Sequence, residues 1–135
     1  MIVLDASVVV EWLLRLPRAQ QVERRLARTD ESLHAPHLLD VEVAQVIRRL
    51  AMRGSVGVTR GRQALEDLAA LDLVRHPHDV LLAGIWRLRA NLSACDAAYV
   101  TLAEALEAPL LTLDARLAAA PGHGARIDVI ARAHP

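Results

Sequence analysis

The chain has 135 residues, of which 53% are hydrophobic, and its 16 arginines, with no lysine, balance 16 acidic residues. This length is typical of one domain, so we expect a single domain over residues 1–135 that is large enough to bury its own core. The hydrophobic content excludes a disordered protein, and the single Cys95 excludes both an intrachain disulfide and a multi-cysteine zinc site.

The sequence also lacks the features of membrane and secreted proteins. Its longest stretch without Asp, Glu or Arg has nine residues, whereas a membrane-spanning helix needs about 20 apolar residues. No basic residue precedes the first apolar run, so a secretory signal is not expected. We therefore expect a cytoplasmic protein that does not enter a membrane.

Short apolar runs alternate with helical patterns along the chain. The predicted strands lie at residues 2–4, 33–35, 73–75, 110–113 and 127–130. The predicted helices lie at residues 6–14, 18–28, 37–53, 59–71, 79–89 and 93–107, with a short one after Asp114. This alternation favours the α/β class, as a three-layer α/β/α sandwich in which helices cover both sides of a short, mostly parallel sheet.

Two aspartates stand where a predicted strand gives way to a helix. Asp5 follows residues 2–4 and Asp114 follows residues 110–113, in the similar sequences Leu-Asp-Ala-Ser and Leu-Asp-Ala-Arg. Binding sites of open parallel sheets lie at the carboxyl ends of the strands, so both aspartates are candidates for a functional site. Aspartate is also a favoured helix N-cap, and that alternative stays open for each of them.

Asp96 is a third candidate because of the helix face that it occupies. It lies on the apolar side of its helix together with Tyr99, where an unpaired carboxylate is unfavourable. It also fits the acidic position of a capping box that begins at Ser93, which is a purely structural role.

Glu42 is the fourth candidate, in the first turns of the helix at residues 37–53. It borders the apolar stripe of that helix, while Asp40 lies on the opposite border. The helix dipole or a local pair with Arg49 would explain Glu42 equally well.

The four carboxylates could converge, because strand ends and the starts of the following helices share one edge of a parallel sheet. Without a counterion they would repel one another and raise each other's pKa values, and a divalent cation would remove this conflict. Oxygen ligands without cysteine or histidine suit Mg²⁺ or Mn²⁺. Such an ion can activate water for attack on a phosphodiester.

At these residues the chain resembles the PIN-domain ribonucleases, and among them the VapC-type toxins of bacterial toxin–antitoxin pairs. The matching stretches, in the order and approximate spacing of the family, are residues 2–7, 35–43, 92–100 and 109–117. The resemblance implies an Mg²⁺- or Mn²⁺-dependent endoribonuclease. In such an enzyme, metal-activated water would cleave RNA and leave 5′-phosphate and 3′-hydroxyl ends.

The resemblance also implies a role for individual residues. The acidic quartet of the family corresponds to Asp5, Glu42, Asp96 and Asp114, which would be the catalytic residues and metal ligands, with Asp5 and Asp96 the firmest ligands. Ser7 and Thr112 match positions where the family places small hydroxyls beside the carboxylates, and they would support the site. Arg116 lies two residues after the last acid and could contact a phosphate, with a surface role on a short helix as an equal alternative.

The family further implies partners, and the chain departs from the family pattern at one position. The resemblance implies a homodimer and inhibition by a VapB-type antitoxin, with residues 19–28 and 56–71 as plausible contact surfaces. VapC-like sequences often carry an aromatic residue just before the third acid, where this chain has Cys95. We expect Cys95 to be a small buried packing residue.

Two other classes of function are alternatives. One is an aspartate-nucleophile phosphohydrolase that uses Asp5, although many such enzymes place a second aspartate two residues on, where this chain has Ser7. The other is a PIN-fold protein-binding module without catalysis, although all four acids are present.

The remaining aromatic, histidine and basic residues suggest no separate site. Trp12, Trp86 and Tyr99 lie within apolar helices, so we expect core packing or an oligomer interface. The closest histidine pairs do not have the spacing of metal ligands on a helix. The densest basic region could grip phosphate or be a solvated helix end; it consists of Arg48, Arg49, Arg53, Arg60 and Arg62.

Overall fold

The computed structural model describes residues 1–28 and 30–132. The strands in these ranges are β1 (Ile2–Leu4), β2 (Leu33–Pro36), β3 (Leu73–His76), β4 (Leu110–Thr112) and β5 (Ile127–Val129). They form one parallel sheet in the order β3-β2-β1-β4-β5. The predicted parallel sheet is therefore confirmed, and its strands begin and end within one residue of the predicted positions.

The helices fall into two groups that pack on the sheet. They are α1 (Ala6–Leu13), α2 (Ala19–Ala27), α3 (Leu38–Met52), α4 (Val58–Ala70), α5 (Leu82–Arg87), α6 (Ala94–Leu106) and α7 (Ala115–Ala119). Helix α1 contacts α2, α3 and α4, whereas α5 packs on α6, which lies against β1, β2 and β4. The α/β class predicted from the sequence is confirmed.

The buried sides of these elements follow the hydrophobic pattern of the sequence. All three residues of β1 and of β4 are buried, as expected for central strands covered on both faces. In α3 the buried residues Leu39, Val43 and Ile47 recur every fourth position and form one stripe. Parallel strands ending together bring the segments after β1 and β4 to one edge of the sheet.

Helix α5 lies unusually close to α6. A Cβ atom on Gly84 would lie 2.3 Å from Cγ2 of Thr101, so only glycine permits this approach. The close packing fixes α5 against the helix that begins next to Asp96.

The sequence prediction was wrong in one helical region. Instead of one helix over residues 79–89, a 3₁₀ turn (Asp79–Leu81) precedes the short α5. Trp86 on α5 is 68% exposed, with the Arg89 guanidinium 4.4 Å from the ring centroid, so the core alternative is wrong for this residue. Residues 80–88 are apolar at nearly every position, so the hydrophobic pattern alone could not show which side of this segment is buried.

A membrane-spanning helix is not found in the described residues, because none of their helices is long and apolar enough.

Candidate active site at the carboxyl ends of the strands

Asp5 sits directly after β1 and is held by two hydroxyl groups. Its Oδ2 accepts hydrogen bonds from Ser7 Oγ at 2.8 Å and from Thr112 Oγ1 at 2.7 Å. Asp5 occupies the N-cap position of α1, but its side chain makes no capping hydrogen bond. The N-cap alternative is therefore wrong for the carboxylate of Asp5.

The two hydroxyls have fixed orientations because each also accepts a backbone N–H. Ser7 Oγ accepts from Leu113 N at 3.2 Å, and Thr112 Oγ1 accepts from Asp114 N at 3.0 Å. Each hydroxyl proton is therefore available for Asp5. These bonds tie the end of β1 to the end of β4 and place Ser7 and Thr112 beside the first carboxylate.

Glu42 reaches the same region from the first turns of α3. Its Oε1 accepts a hydrogen bond of 2.6 Å from the hydroxyl of Tyr99 on α6. The alternative of a pair with Arg49 is wrong, since the ion pairs within residues 1–28 and 30–132 do not include Glu42. Asp40, the competing acid of α3, instead forms an ion pair of 2.7 Å with Arg75.

Asp96 lies in the first turn of α6 and is half-buried. Its backbone N–H donates to Ser93 Oγ at 3.2 Å, which confirms one half of the predicted capping box. The hydrogen bonds of the described residues do not include its carboxylate. Its charge nevertheless acts on both Asp5 and Glu42.

Burial and the repulsion between carboxylates raise the pKa values of Asp5 and Glu42. Burial raises the pKa of Asp5, the Thr112 and Ser7 hydroxyls oppose this shift, and the charge of Asp96 adds to it. Burial also raises the pKa of Glu42, Tyr99 opposes this shift, and the charges of Asp5 and Asp96 add to it. We call Asp5, Glu42 and Asp96 the acidic site. Its carboxylates form no ion pair with a described arginine or histidine.

Tyr99 is a further candidate functional residue, although its sequence pattern predicted only packing. Tyr99 is buried, and burial is the largest cause of the raised pKa of its phenol. The hydrogen bond to Glu42 is the next largest cause. The phenol therefore stays protonated and donates to Glu42. The sequence held one signal for this role, because Tyr99 shares a helix face with Asp96.

Asp114 behaves differently from the other three acids. Its Oδ1 accepts from Arg116 N at 3.0 Å, so the N-cap alternative holds for this residue. The Arg116 side chain also donates to both carboxylate oxygens, with Nη2 2.6 Å from Oδ2. This contact, above all, holds the pKa of Asp114 below its ordinary value.

A divalent cation fits the chemistry of the acidic site. Carboxylates without a cationic partner are the oxygen donors that Mg²⁺ and Mn²⁺ prefer. In the part of the chain that the structure describes, acidic, histidine and cysteine side chains do not form a ready group of three ligands. An open site of this kind suits Mg²⁺, which commonly uses one or two carboxylates and completes its shell with water and substrate phosphate.

Cys95 and the histidines lie outside this chemistry. Cys95 is exposed, so the prediction that it is buried was wrong, and its thiol pKa is raised by partial desolvation and by Glu42 and Asp96. His34 Nδ1 and His76 Nε2 hydrogen-bond at 2.8 Å within the sheet. Neither feature offers a second metal site.

The arginines of the basic region between α3 and α4 do not share a hydrogen-bonding partner among the described residues. Arg60 donates to the carbonyl oxygen of Leu13, and Arg53 Nε donates to the carbonyl oxygen of Arg49 at 3.5 Å. Arg48, Arg49, Arg53 and Arg62 are exposed.

The fold and the acidic site together define a class: a parallel α/β domain with carboxylates gathered at the carboxyl ends of its strands. Comparison with known proteins identifies the family. The model of the PIN domain matches residues 2–122. Ribonuclease VapC9 of Mycobacterium tuberculosis is 47% identical over 117 residues, which cover 87% of this chain and 88% of VapC9.

Solved structures agree with this match. The chain superposes on Mycobacterium tuberculosis VapC20, a sarcin–ricin loop cleaving toxin, with a TM-score of 0.69, 13% identity and coverage of 88% and 94% of the two chains. VapBC2 of Rickettsia felis, bound to a DNA fragment from its promoter, gives a TM-score of 0.68, 14% identity and coverage of 96% and 98%. The chain therefore belongs to the PIN-domain family and, within it, to the VapC ribonucleases, as the resemblance implied.

Proposed function

We propose that this protein is a metal-dependent endoribonuclease that acts as the toxin of a toxin–antitoxin pair. The observation that carries the proposal is the acidic site, where Asp5, Glu42 and Asp96 act on one another without a cationic partner among the described residues. Family membership adds the class of reaction, because VapC9 is a ribonuclease.

Some residues of the site would bind the metal ion, and others would orient the residues that bind it. Asp5 and Asp96 would hold an Mg²⁺ or Mn²⁺ ion, and Glu42 would complete the site directly or through water. Ser7 and Thr112 would fix the orientation of Asp5, and Tyr99 would fix that of Glu42, by the hydrogen bonds described above.

Asp114 is the fourth acid that the family implies as a ligand. In this structure both oxygens of its carboxylate accept from the Arg116 side chain, so Asp114 is not free to bind a cation as the other three acids are.

A bound divalent cation would supply the charge that neutralises the carboxylates, and it would activate water and stabilise charge on the phosphate. The hydroxyl groups of Ser7, Thr112 and Tyr99 would keep the carboxylates of Asp5 and Glu42 aligned for that cation. The expected products are a 5′-phosphate and a 3′-hydroxyl.

The partners of the protein are also part of the proposal. RNA would be the substrate, and a VapB-type antitoxin would be the inhibitor, as the pairing in the Rickettsia felis VapBC2 structure suggests. Helices α2 and α4, within residues 19–28 and 56–71, are proposed to contact the antitoxin. We also propose that the protein forms a homodimer.

RNA cleavage by the purified chain tests this function. The chain, freed of any partner, is incubated with total bacterial RNA in Mg²⁺, in Mn²⁺ and in chelator, and the ends of the fragments are mapped. We expect cation-dependent cuts that leave 5′-phosphates and that disappear in Asp5→Asn and Asp96→Asn.

The control for the cleavage assay is Asp72→Asn, which removes an exposed acid outside the site and should cleave normally. Cleavage that survives in chelator, or in both site variants, would contradict the proposal. A phospho-aspartate trapped on Asp5 would instead support the phosphohydrolase alternative.

A further inference from the structure

The pairing of Asp114 with Arg116 suggests a separate role for these two residues. Arg116 Nε lies 3.0 Å from Oδ1 and 3.2 Å from Oδ2 of Asp114, and Nη2 lies 2.6 Å from Oδ2. The backbone N–H of Arg116 binds the same carboxylate. The guanidinium is thus held in one orientation by a residue only two positions away.

Asp114 differs from the acidic site in the partners of its carboxylate. Asp5 and Glu42 accept hydrogen bonds from neutral hydroxyl groups. Both carboxylate oxygens of Asp114 instead accept from the cationic side chain of Arg116. The charge of Asp114 is therefore already balanced, so it has less need of a metal ion than the other three acids.

Arg116 keeps hydrogen-bonding capacity that faces solvent. Its side chain is 85% exposed. An arginine carries five N–H donors, and Asp114 engages only Nε and Nη2. The donors on Nη1 have no partner among the described residues.

Arg116 is also placed next to the acidic site. The charge of Asp96 raises the pKa of Arg116, although Asp114 has the larger effect. The backbone of the same turn is tied to the site, since Thr112 Oγ1 binds both Asp5 and the N–H of Asp114.

We propose that Arg116 binds a phosphate group of the RNA at the border of the acidic site, and that Asp114 is a positioning residue for Arg116 rather than a metal ligand. A planar guanidinium with free donors matches the oxygens of a phosphate. The acids of the site repel the RNA backbone, so a fixed cation beside them would offset that repulsion. This inference rests on the proposed function for the identity of the anion.

Direct binding measurements test the role of Arg116 without catalysis. A short fluorescein-labelled single-stranded RNA of mixed sequence is titrated in chelator over a series of salt concentrations, with fluorescence anisotropy as the signal. We expect Arg116→Ala to weaken binding about tenfold and to reduce the salt slope by about one. Arg116→Lys keeps the charge without the planar fork, so it should recover part of the affinity.

The matched control is Arg126→Ala, which removes an exposed arginine that also pairs with an aspartate two positions away, directly before β5 rather than at the carboxyl ends of the strands. If Arg116→Ala and Arg126→Ala weaken RNA binding equally, the effect is general electrostatics and the role of Arg116 is contradicted. Arg116→Gln serves as a second variant, so that the result does not depend on one substitution.

A double-mutant cycle and Mn²⁺ binding test the role of Asp114. If Asp114 acts only through Arg116, then Asp114→Asn added to Arg116→Ala should change KM for RNA by less than about twofold. Calorimetric Mn²⁺ affinity of Asp114→Asn should equal that of the unmodified chain, while Asp5→Asn should lose it. A loss of Mn²⁺ affinity in Asp114→Asn as large as that in Asp5→Asn would overturn the inference.

Failure of this inference is distinguishable from failure of the proposed function. Normal cation-dependent cleavage with unchanged RNA binding in Arg116→Ala would overturn only the inference. Absence of cation-dependent cleavage in the unmodified chain would contradict the function, while the anisotropy titration would still show whether Arg116 binds RNA phosphate.

Discussion

Asp5 and Asp114 have nearly the same surroundings in the sequence and opposite surroundings in the fold. Each follows a leucine at the end of a buried strand and precedes an alanine, and the next residue is Ser7 in one case and Arg116 in the other. Asp5 receives neutral hydroxyl donors and has a raised pKa. Asp114 receives an arginine and has a lowered pKa.

The difference shows that one neighbouring side chain can determine whether a carboxylate at the end of a strand is available to bind a cation. A hydroxyl orients the carboxylate but leaves its charge uncompensated, so a cation is still favoured there. A guanidinium compensates the charge and occupies both oxygens. We therefore expect the two aspartates to respond differently to substitution.

Loss of cleavage should show the largest difference. Asp5→Asn should reduce cation-dependent RNA cleavage about 100-fold or more, because it removes a charge that we propose to hold the ion. Asp114→Asn should reduce it only about tenfold, mainly through KM, because it releases Arg116 without removing a ligand. Steady-state cleavage kinetics measure both, and equal losses in kcat would break the comparison.

Tyr99→Phe should have the next largest effect. It keeps the buried ring and removes only the donor to Glu42, so we expect cleavage to fall about tenfold. The Tyr99 hydroxyl lowers the pKa of Glu42, so its loss should raise that pKa further and move the acidic limb of the pH–rate profile to higher pH. A reduced rate with an unshifted acidic limb would contradict this role for Tyr99.

Thermal stability without metal should change in opposite directions at the two aspartates. Asp5→Asn removes an uncompensated charge and should raise Tm in chelator by roughly 3 °C. Asp114→Ala removes an N-cap and should lower stability by about 1 kcal/mol. Calorimetric unfolding of both variants beside the unmodified chain measures the two shifts. If both variants melt at a lower temperature, the charge of Asp5 is compensated in the fold.

The smallest effect concerns the dependence of stability on pH. The folded pKa of Asp5 lies above its ordinary value of 3.8, so ionisation of Asp5 destabilises the metal-free fold as pH rises through that pKa. The stability advantage of Asp5→Asn should therefore be near zero at pH values below 3.8, grow as pH rises through the folded pKa, and stay constant above it. An advantage that is constant across this range would show that Asp5 does not titrate as the structure indicates.

Much of this architecture could be predicted from the sequence because it depends on local patterns. The strands β1 and β4 are short apolar runs that end in an aspartate, and their carboxyl ends meet wherever the strands are parallel. The inward position of Asp96 follows from helical periodicity. These local rules are sufficient to bring Asp5, Glu42 and Asp96 to one edge of the sheet.

The rest depends on contacts between distant elements. Periodicity placed Tyr99 on a buried face but could not show that its hydroxyl meets Glu42 on another helix. A 3₁₀ turn precedes α5, and Trp86 on α5 is exposed, which the hydrophobic pattern of the sequence did not predict. The ion pair between Asp114 and Arg116 depends on the rotamer of the long arginine side chain at the start of a helix, and the sequence pattern does not determine that rotamer.

Mn²⁺ binding measured by isothermal titration calorimetry on the purified chain at neutral pH tests the central claim most directly. The account predicts that the unmodified chain and Asp72→Asn bind Mn²⁺ with the same affinity and that Asp5→Asn loses this binding. If the unmodified chain does not bind Mn²⁺, or if Asp5→Asn binds it as well as the unmodified chain does, the acidic site is not a metal site.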